Sequence, residues 1–372
     1  GKYREFTKEE LEKLQRSADW KLKILERYDR MVKKYGLLRI LKKGLEVEDA
    51  FFTLLYPMPL ESSSRTAKDN FRNNEFSVTR QVRYNIENLR EEIDMVVFVN
   101  GLPLATLELK NQWTGQNAKV HGIRQYKKDR DTRQPLLNFG RCLVHFAVDT
   151  DDVFMCTKLN GDNSFFLPFN KGNNHGKGNP PNPFGHRTSY LWEEVFTRES
   201  LANIIQHFVR FDGKPTDALS KRTLFFPRYH QMDVVRKILA DASAKGVGQT
   251  YLIQHSAGSG KSNSITWAAY QLIETYPKNM NAKGAKAIDR PLFDSVIVVT
   301  DRRLLDKQLR ENIKEFSEVK NSSILNDNSD DLRLVKSVKF ETEHYNVANN
   351  EILNVVEEWG FEKDKKSLDP NW

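Results

Sequence analysis

The chain has 372 residues, a length that suggests two or three domains and excludes a single small module. Hydrophobic residues make up 39% of it, and the longest apolar runs, such as 296–299, are strand-sized and far below the ~18 residues of a membrane span. The 58 basic and 50 acidic side chains leave a formal charge of +8, which favours a polyanionic partner without identifying one.

The cysteines and the first residues bear on the cellular location. Cys142 and Cys156 are the two cysteines, too few for a disulfide framework or a zinc cluster and typical of a reducing compartment. The sequence opens on Gly1 and has no signal-type apolar region, which predicts an artificial boundary or a trimmed end there. We therefore expect a soluble, cytoplasmic protein with no membrane partner.

The pattern up to about residue 215 predicts one α/β unit with a helical lead. Leucines at helical spacing within 7–43 predict two amphipathic helices. Short apolar runs separated by turn residues follow over 51–148 and predict a mixed α/β core. Residues 170–187 are rich in Asn, Gly and Pro and predict a long loop, and 191–211 predict a closing helix.

A second alternating pattern of predicted helices and strands begins after residue 215. Its predicted elements are a helix near 231–244, a strand at 250–254, a glycine-rich turn, a helix at 262–276 and a strand at 295–299. We therefore predict two domains, 1–215 and 216–372. The polar and charged tail adds little to this prediction.

An Asn-Gly pair between two apolar runs predicts a β-hairpin over 93–110. If its loop has three residues, Asp94 lies opposite Glu108, and the two-residue period of a strand puts Lys110 on the same face. Any other loop length shifts the register by one residue, and a bulge is then needed to bring Asp94 round.

Two carboxylates and an ammonium group facing one point are costly unless an ion compensates them. Oxygen ligands from Asp94, Glu108 and a backbone carbonyl such as that of Leu109, completed by waters, suit Mg²⁺. Such an ion could lower the pKa of a bound water and neutralise charge on a phosphorane, while Lys110 orients the water or stabilises that charge. The pattern predicts phosphodiester hydrolysis, although the spacing is weak and a surface hairpin with an ordinary salt bridge remains open.

Segments around this hairpin carry a family pattern. They are Asn74, 76–81 (Phe-Ser-Val-Thr-Arg-Gln), 93–94, 98–101, 107–111, 144–149 and 190–195. Together they resemble the restriction (R) subunit of type I restriction-modification enzymes. The resemblance implies a metal-dependent nuclease domain of the PD-(D/E)xK class, with Asp94, Glu108 and Lys110 as its catalytic residues.

The sequence departs from that family at one motif. Many members add Gln-x-x-x-Tyr on the helix after the hairpin, and here Tyr126 fits the tyrosine while Gly122 stands in place of the glutamine. Gln125 is a candidate substitute. The role of the motif in this chain is left open.

A strand running into a glycine-rich turn and then a helix is the context of a phosphate-binding loop. Gly258 and Gly260 allow positive φ, so that successive amides, including that of Ser259, converge on a phosphate. Lys261 would reach the terminal phosphates, and the Ser262 hydroxyl would ligate Mg²⁺. These residues predict nucleotide binding, with ATP implied by the family.

The segments on either side of this loop resemble superfamily 2 helicases. Gln231, about 30 residues before Lys261, matches the glutamine that reads adenine, although it could be an ordinary helix residue. Residues 296–308 match a segment that grips a nucleic-acid backbone, and Arg302 and Arg303 could instead begin a solvated helix. The resemblance implies an incomplete first RecA-like parallel α/β lobe. Because no Asp-Glu strand follows residue 310, we expect ATP binding without hydrolysis or translocation.

The resemblance as a whole implies a subunit that cuts double-stranded DNA with Mg²⁺. Cutting would follow ATP-driven translocation in a complex with methylase and specificity subunits. Two other hypotheses stay open: a DNA-tethering and assembly module with a degenerate hairpin, and an ATP-independent repair nuclease with a vestigial phosphate loop.

Overall fold

The computed structural model describes residues 18–60, 63–174, 176–213, 216–256, 258–278, 291–293 and 295–298. The chain divides into two compact units between Arg236 and Lys237, inside one helix. The domain boundary predicted at 215 stays a prediction. Across the described ranges, no helix is both long enough and apolar enough to cross a bilayer.

The predicted N-terminal helical region is helical over most of its described part, and its residues 7–17 lie outside the described residues. Helix α1 spans Trp20–Tyr35 and α2 spans Leu37–Lys43. Gly36 separates them at a φ of +81°, and a Cβ there would lie 2.7 Å from the Phe211 ring, so a side chain has no room. The two strands β1 (Leu45–Val47) and β2 (Ala50–Phe52) form a small antiparallel hairpin after them.

A six-stranded sheet forms the centre of the first unit. Helix α3 (Arg65–Arg72) leads into it, and Ser64 caps this helix by accepting the Ala67 N–H. The strands are β3 (Phe76–Arg83), β4 (Glu92–Val99), β5 (Leu102–Leu109), β6 (Val144–Val148), β7 (Val153–Cys156) and β8 (Leu167–Pro168). They lie in chain order, with β5 and β6 parallel and the other pairs antiparallel. The predicted mixed α/β core is confirmed.

In the β4–β5 hairpin, a bulge rather than a three-residue loop brings Asp94 onto the same face as Glu108. Asn100 and Gly101 form a two-residue turn with φ values of 49° and 77°, so the three-residue loop is wrong. The register then shifts by one residue at Leu104. Beyond that bulge the strand pairing places Asp94 opposite Glu108.

A helical segment crosses one face of this sheet. It consists of the π-helical turns Ala118–Gly122 and Gln125–Asp129 with two α-helical residues between them. The Asp149 carboxylate, just after β6, accepts the Ala118 N–H at 2.7 Å and anchors the start of the segment. The segment therefore covers the face that carries Glu108 and Lys110.

The helix predicted over 191–211 is interrupted. A π-helical turn at Leu191–Val195 is followed by α4 (Arg198–Asn203), a second π-helical turn at Ile204–Phe208 and strand β9 (Arg210–Asp212). Thr197 has extended dihedrals and accepts the Ser200 N–H, so it ends one turn and caps the next helix. Strand β9 pairs with β10 (Thr223–Phe225). The described residues of the predicted loop at 170–187 are largely irregular, which confirms that prediction for them.

Among the described residues from 229 onward, both predicted helices are formed, whereas the positions of the predicted strands are irregular. The predicted helix near 231–244 is α5 (Tyr229–Lys245), and α6 (Lys261–Leu272) follows the glycine-rich turn. Residues 250–254 and 295–298 are irregular. No described residue from 229 onward lies in a strand, and a strand without a neighbour leaves its backbone groups unpaired. The predicted parallel sheet is therefore not seen in the described part.

Strand β3 contains a strained residue beside the hairpin. Gln81 has a φ of 53°, in the left-handed region that favours glycine. Its neighbours Arg80 and Val82 keep regular pairing with β4, which places Gln81 opposite Asp94. The strain thus lies at the strand position next to the predicted site, where strained residues often occur.

Substitutions at Gln81 should show this strain in the free energy of unfolding. We expect Gln81→Gly to leave the free energy of unfolding unchanged or to raise it by up to ~1 kcal/mol, because glycine adopts positive φ freely. Gln81→Val should lower it by ~1–2 kcal/mol. Urea unfolding measures both, with Thr79→Gly on the same strand as the control, expected to cost ~0.5–1 kcal/mol. Equal losses in the two glycine variants would contradict the strain.

Candidate active site

The structure brings the three predicted catalytic side chains together. Lys110 Nζ lies 3.8 Å from Asp94 Oδ2 and 3.8 Å from Glu108 Oε2. Asp94 Oδ2 also accepts the Leu109 N–H at 2.7 Å, which fixes this carboxylate against β5. The arrangement meets the geometry that the hairpin hypothesis requires, while the catalytic roles stay a prediction.

The three side chains differ in their access to solvent. Glu108 is fully buried and the Lys110 side chain is 9% exposed, whereas the Asp94 side chain is 37% exposed. Strand β5 is an interior strand, so Glu108 is enclosed by β4, β6 and the covering helical segment. The cluster therefore opens to solvent on the Asp94 side, where a large substrate could approach.

Burial dominates the protonation of Glu108. It raises the pKa of this carboxyl to about 7, and the negative charge of Asp94 contributes in the same direction. The guanidinium of Arg130 opposes the rise, since its Nε donates a hydrogen bond to Glu108 Oε1 at 2.8 Å. Glu108 is therefore poised to titrate near neutral pH.

One oxygen of this carboxyl has no hydrogen-bond partner. Glu108 Oε2 is buried and accepts no hydrogen bond, and its contact with Lys110 Nζ is long at 3.8 Å, so a closer cation would compensate the cost of burying this oxygen. Within the described residues, no three His, Cys, Asp or Glu side chains form a metal cluster. Two carboxylates and the Leu109 carbonyl nevertheless suit Mg²⁺, because this ion usually keeps several waters and needs few protein ligands. The residues present fit the predicted ion.

A buried polar network lies behind the cluster. The Thr106 hydroxyl, on the same face of β5 as Glu108, lies 2.8 Å from the Tyr126 hydroxyl and 2.7 Å from His145 Nδ1. Burial lowers the pKa of His145 to about 3, so its ring is neutral. The network therefore joins β5, β6 and the helical segment without adding charge next to Glu108.

The predicted phosphate-binding loop has part of the expected geometry. Gly258 and Gly260 have φ values of 71° and 82°, and α6 begins directly after them at Lys261. Lys261 Nζ donates to the carbonyl oxygens of His255 and Ser256 at 3.0 and 3.2 Å, so it folds back over the loop. A phosphate at this helix N-terminus could replace those two acceptors.

The other predicted nucleotide-binding residues, Ser259, Ser262 and Gln231, lie in different surroundings. Ser259 is buried in the turn, and Ser262 is half-buried in the first turn of α6. Gln231 is buried in the first unit, and its Oε1 accepts the Arg228 N–H at 2.9 Å. The adenine-reading role of Gln231 stays a prediction, and the predicted backbone-gripping residues Arg302 and Arg303 lie outside the described residues.

Comparisons with known proteins identify relatives of both parts of the chain. Residues 5–164 match the family model of the type I restriction enzyme R protein N terminus. Residues 224–368 match the model of the type III restriction enzyme res subunit. The type I restriction enzyme HindI endonuclease subunit of Haemophilus influenzae is 24% identical over 283 residues. The chain is therefore similar in sequence to the N-terminal part of type I restriction R subunits.

The match covers most of this chain and a minor part of each relative. The Haemophilus subunit aligns with 76% of the chain and 25% of its own length. A putative type I restriction enzyme MjaIXP endonuclease subunit of Methanocaldococcus jannaschii is 27% identical over 272 residues, which are 65% of the chain and 23% of that protein. The chain thus spans about a quarter of the length of these R-subunit relatives.

The departure from the R-subunit pattern at Gly122 has a steric reason. A Cβ at this position would lie 3.0 Å from Ala147 Cβ and 3.5 Å from Lys110 Cγ. The helical segment approaches the sheet so closely here that a glutamine would have to displace its neighbours. Tyr126 is fully buried on Thr106, and the substitute role of Gln125 stays a prediction.

Arg130 is the site residue that the sequence analysis missed. Its side chain is 8% exposed and pairs with Glu108, 22 positions earlier in the chain. In the sequence it lies within the charged run 127–131, a pattern more typical of a solvated helix face. No spacing rule links it to the hairpin, so only the fold reveals it.

The raised pKa of Glu108 predicts a pH dependence of stability in the metal-free protein. Between the ordinary value of 4.5 and about 7 the folded state binds more protons than the unfolded state. The free energy of unfolding should therefore fall as the pH rises through this window, by up to ~3 kcal/mol. Urea unfolding at pH 5 and pH 8 with a chelator measures this loss.

Two variants isolate the contribution of Glu108. Glu108→Gln cannot titrate and should lose most of this dependence, whereas Glu92→Gln, at the partly exposed start of β4, should keep it. The charged groups that face Glu108, namely Asp94, Lys110 and Arg130, stay in place in both variants. A wild-type slope in Glu108→Gln would show that another group titrates.

Proposed function

We propose that this chain is the DNA-cleaving and ATP-binding part of a type I restriction endonuclease. Its substrate would be double-stranded DNA, cut by Mg²⁺-dependent hydrolysis of a phosphodiester bond. In the complete complex, cutting would be coupled to ATP-driven translocation and would require methylase and specificity subunits. The relatives named as type I endonuclease subunits support this assignment at the level of the family.

The observation that carries the nuclease proposal is the convergence of Asp94, Glu108 and Lys110 around a buried carboxylate oxygen that accepts no hydrogen bond. A surface salt bridge would not need a fully buried carboxylate, nor would it leave Glu108 Oε2 without a hydrogen bond. A bound Mg²⁺ would activate a water and neutralise charge on the phosphate. The hairpin therefore favours chemistry over a purely structural role.

Each side chain has a distinct task in the proposed hydrolysis. Asp94 and Glu108 would hold the ion, Asp94 from the solvent side and Glu108 from the interior. Lys110, equidistant from both carboxylates, would orient the attacking water or donate to the phosphate oxygen on which charge builds. Attack of the water oxygen on phosphorus would form one P–O bond and break one P–O ester bond, and the leaving alkoxide would take up a proton to give an alcohol and a phosphate monoester.

The ATP-binding proposal rests on the loop before α6. Two glycines at positive φ and a helix N-terminus favour a phosphate, and Lys261 would release two carbonyl oxygens to reach it. The match of residues 224–368 to a restriction-enzyme res subunit supports a helicase-like region here. Plasmid cleavage by the intact subunit, with Lys110 as the deciding residue, tests the proposed function as set out in the Discussion.

A further inference from the structure

Arg130 is held firmly on two sides. Its Nε donates to Glu108 Oε1 at 2.8 Å, and its guanidinium carbon lies 5.7 Å from the centre of the Tyr84 ring. The Tyr84 hydroxyl in turn pairs with Glu91 and accepts the Asp131 N–H at 3.3 Å. The guanidinium thus has little freedom to leave Glu108.

This contact makes the two oxygens of Glu108 unequal. Oε1 is committed to Arg130, while Oε2 is buried, has no hydrogen bond and lies 3.8 Å from Lys110 Nζ. Since the Glu108 side chain is fully buried, water cannot easily loosen the pairing at Oε1. A cation that enters the cluster would meet one available carboxylate oxygen from Glu108.

The number of available oxygens bears on which cation fits. Mg²⁺ takes six ligands in a tight octahedron and accepts single carboxylate oxygens with waters, whereas Ca²⁺ takes six to eight oxygens and often uses both oxygens of a carboxylate. We propose that Arg130 is a positioning residue that restricts Glu108 to one-oxygen ligation and thereby selects a small octahedral cation over Ca²⁺. This inference rests on the metal site of the proposed function.

Competition between cations tests this selection without any measurement of cleavage. Free Mn²⁺ is followed by electron paramagnetic resonance as it binds the nucleotide-free chain, and Mg²⁺ or Ca²⁺ is then added as competitor. In the wild type we expect Mg²⁺ to compete more effectively than Ca²⁺ by about tenfold or more. In Arg130→Ala, where Oε1 is released, we expect this preference to fall to within about twofold.

The controls separate positioning from general damage. Arg133→Ala removes an exposed arginine three residues away that pairs with Asp131, and it should keep the wild-type preference. Arg130→Met retains much of the side-chain volume and replaces the alanine variant if that variant does not fold, as judged by circular dichroism. Asp94→Asn should remove the Mn²⁺ site itself.

Each outcome of the competition experiment either supports or contradicts the inference. A collapsed preference in the folded Arg130 variant, with an intact preference in Arg133→Ala, supports the inference. A wild-type preference in the folded Arg130 variant overturns it and leaves the metal site standing. If the wild type binds no Mn²⁺ that depends on Asp94, the metal site of the proposed function fails, and the inference fails with it.

Discussion

Lys110→Ala should reduce DNA cleavage by the intact subunit by about 10²–10³-fold, the usual cost of losing one preorganised group that stabilises transition-state charge. The expected cause is local, because Lys110 Nζ lies 3.8 Å from both carboxylates and its side chain is almost buried. The measurement is the conversion of supercoiled plasmid by the subunit with its methylase and specificity partners, ATP and Mg²⁺. Asp94→Ala should cause a loss of at least the same size.

Two controls show whether such a loss is chemical. Lys33→Ala, at an exposed lysine of α1 that pairs with Asp29, should cleave at the wild-type rate. ATP hydrolysis by the complex should stay unchanged in Lys110→Ala, because the nuclease cluster lies apart in sequence from the phosphate loop. Wild-type cleavage by Lys110→Ala would remove the assigned site and favour the tethering and assembly module.

Lys261→Ala should weaken ATP binding by about 10–100-fold, the range expected for a charge-assisted hydrogen bond to phosphate. The loss of affinity should lie toward the lower end of this range. In the free loop Lys261 already donates hydrogen bonds to the His255 and Ser256 carbonyls, and it must give up these bonds to bind phosphate. Binding of a fluorescent ATP analogue to the chain measures it. Lys245→Ala, at an exposed lysine of α5 that pairs with Asp241, is the matched control.

The same variant distinguishes the proposed function from the hypothesis of an ATP-independent nuclease. In the intact subunit, Lys261→Ala should abolish cleavage that depends on translocation. Continued cutting that ignores nucleotide would favour the ATP-independent nuclease with a vestigial loop. An unchanged affinity for ATP in Lys261→Ala would contradict the role assigned to the loop.

The glycine-rich segment shows which structural features local sequence can predict. Gly258, Gly260 and the start of α6 could be predicted, because positive φ and helix onset are local properties. Residues 250–254, which were predicted as a strand, are irregular, and local sequence does not specify the neighbour with which a strand must pair. The helix over 191–211 failed for a local reason, the cap at Thr197, which the hydrophobic pattern did not reveal.

For the hairpin, the sequence by itself determined that Glu108 and Lys110 share a face. The Asn-Gly turn and the two-residue period of a strand are short-range rules, but the bulge at Leu104 that brings Asp94 onto this face was an alternative that the sequence left open. Only the tertiary structure decided that Glu108 is fully buried and that Arg130 holds one of its oxygens. Burial and pairing of this kind depend on side chains brought together from distant positions, and no spacing along the chain encodes that meeting.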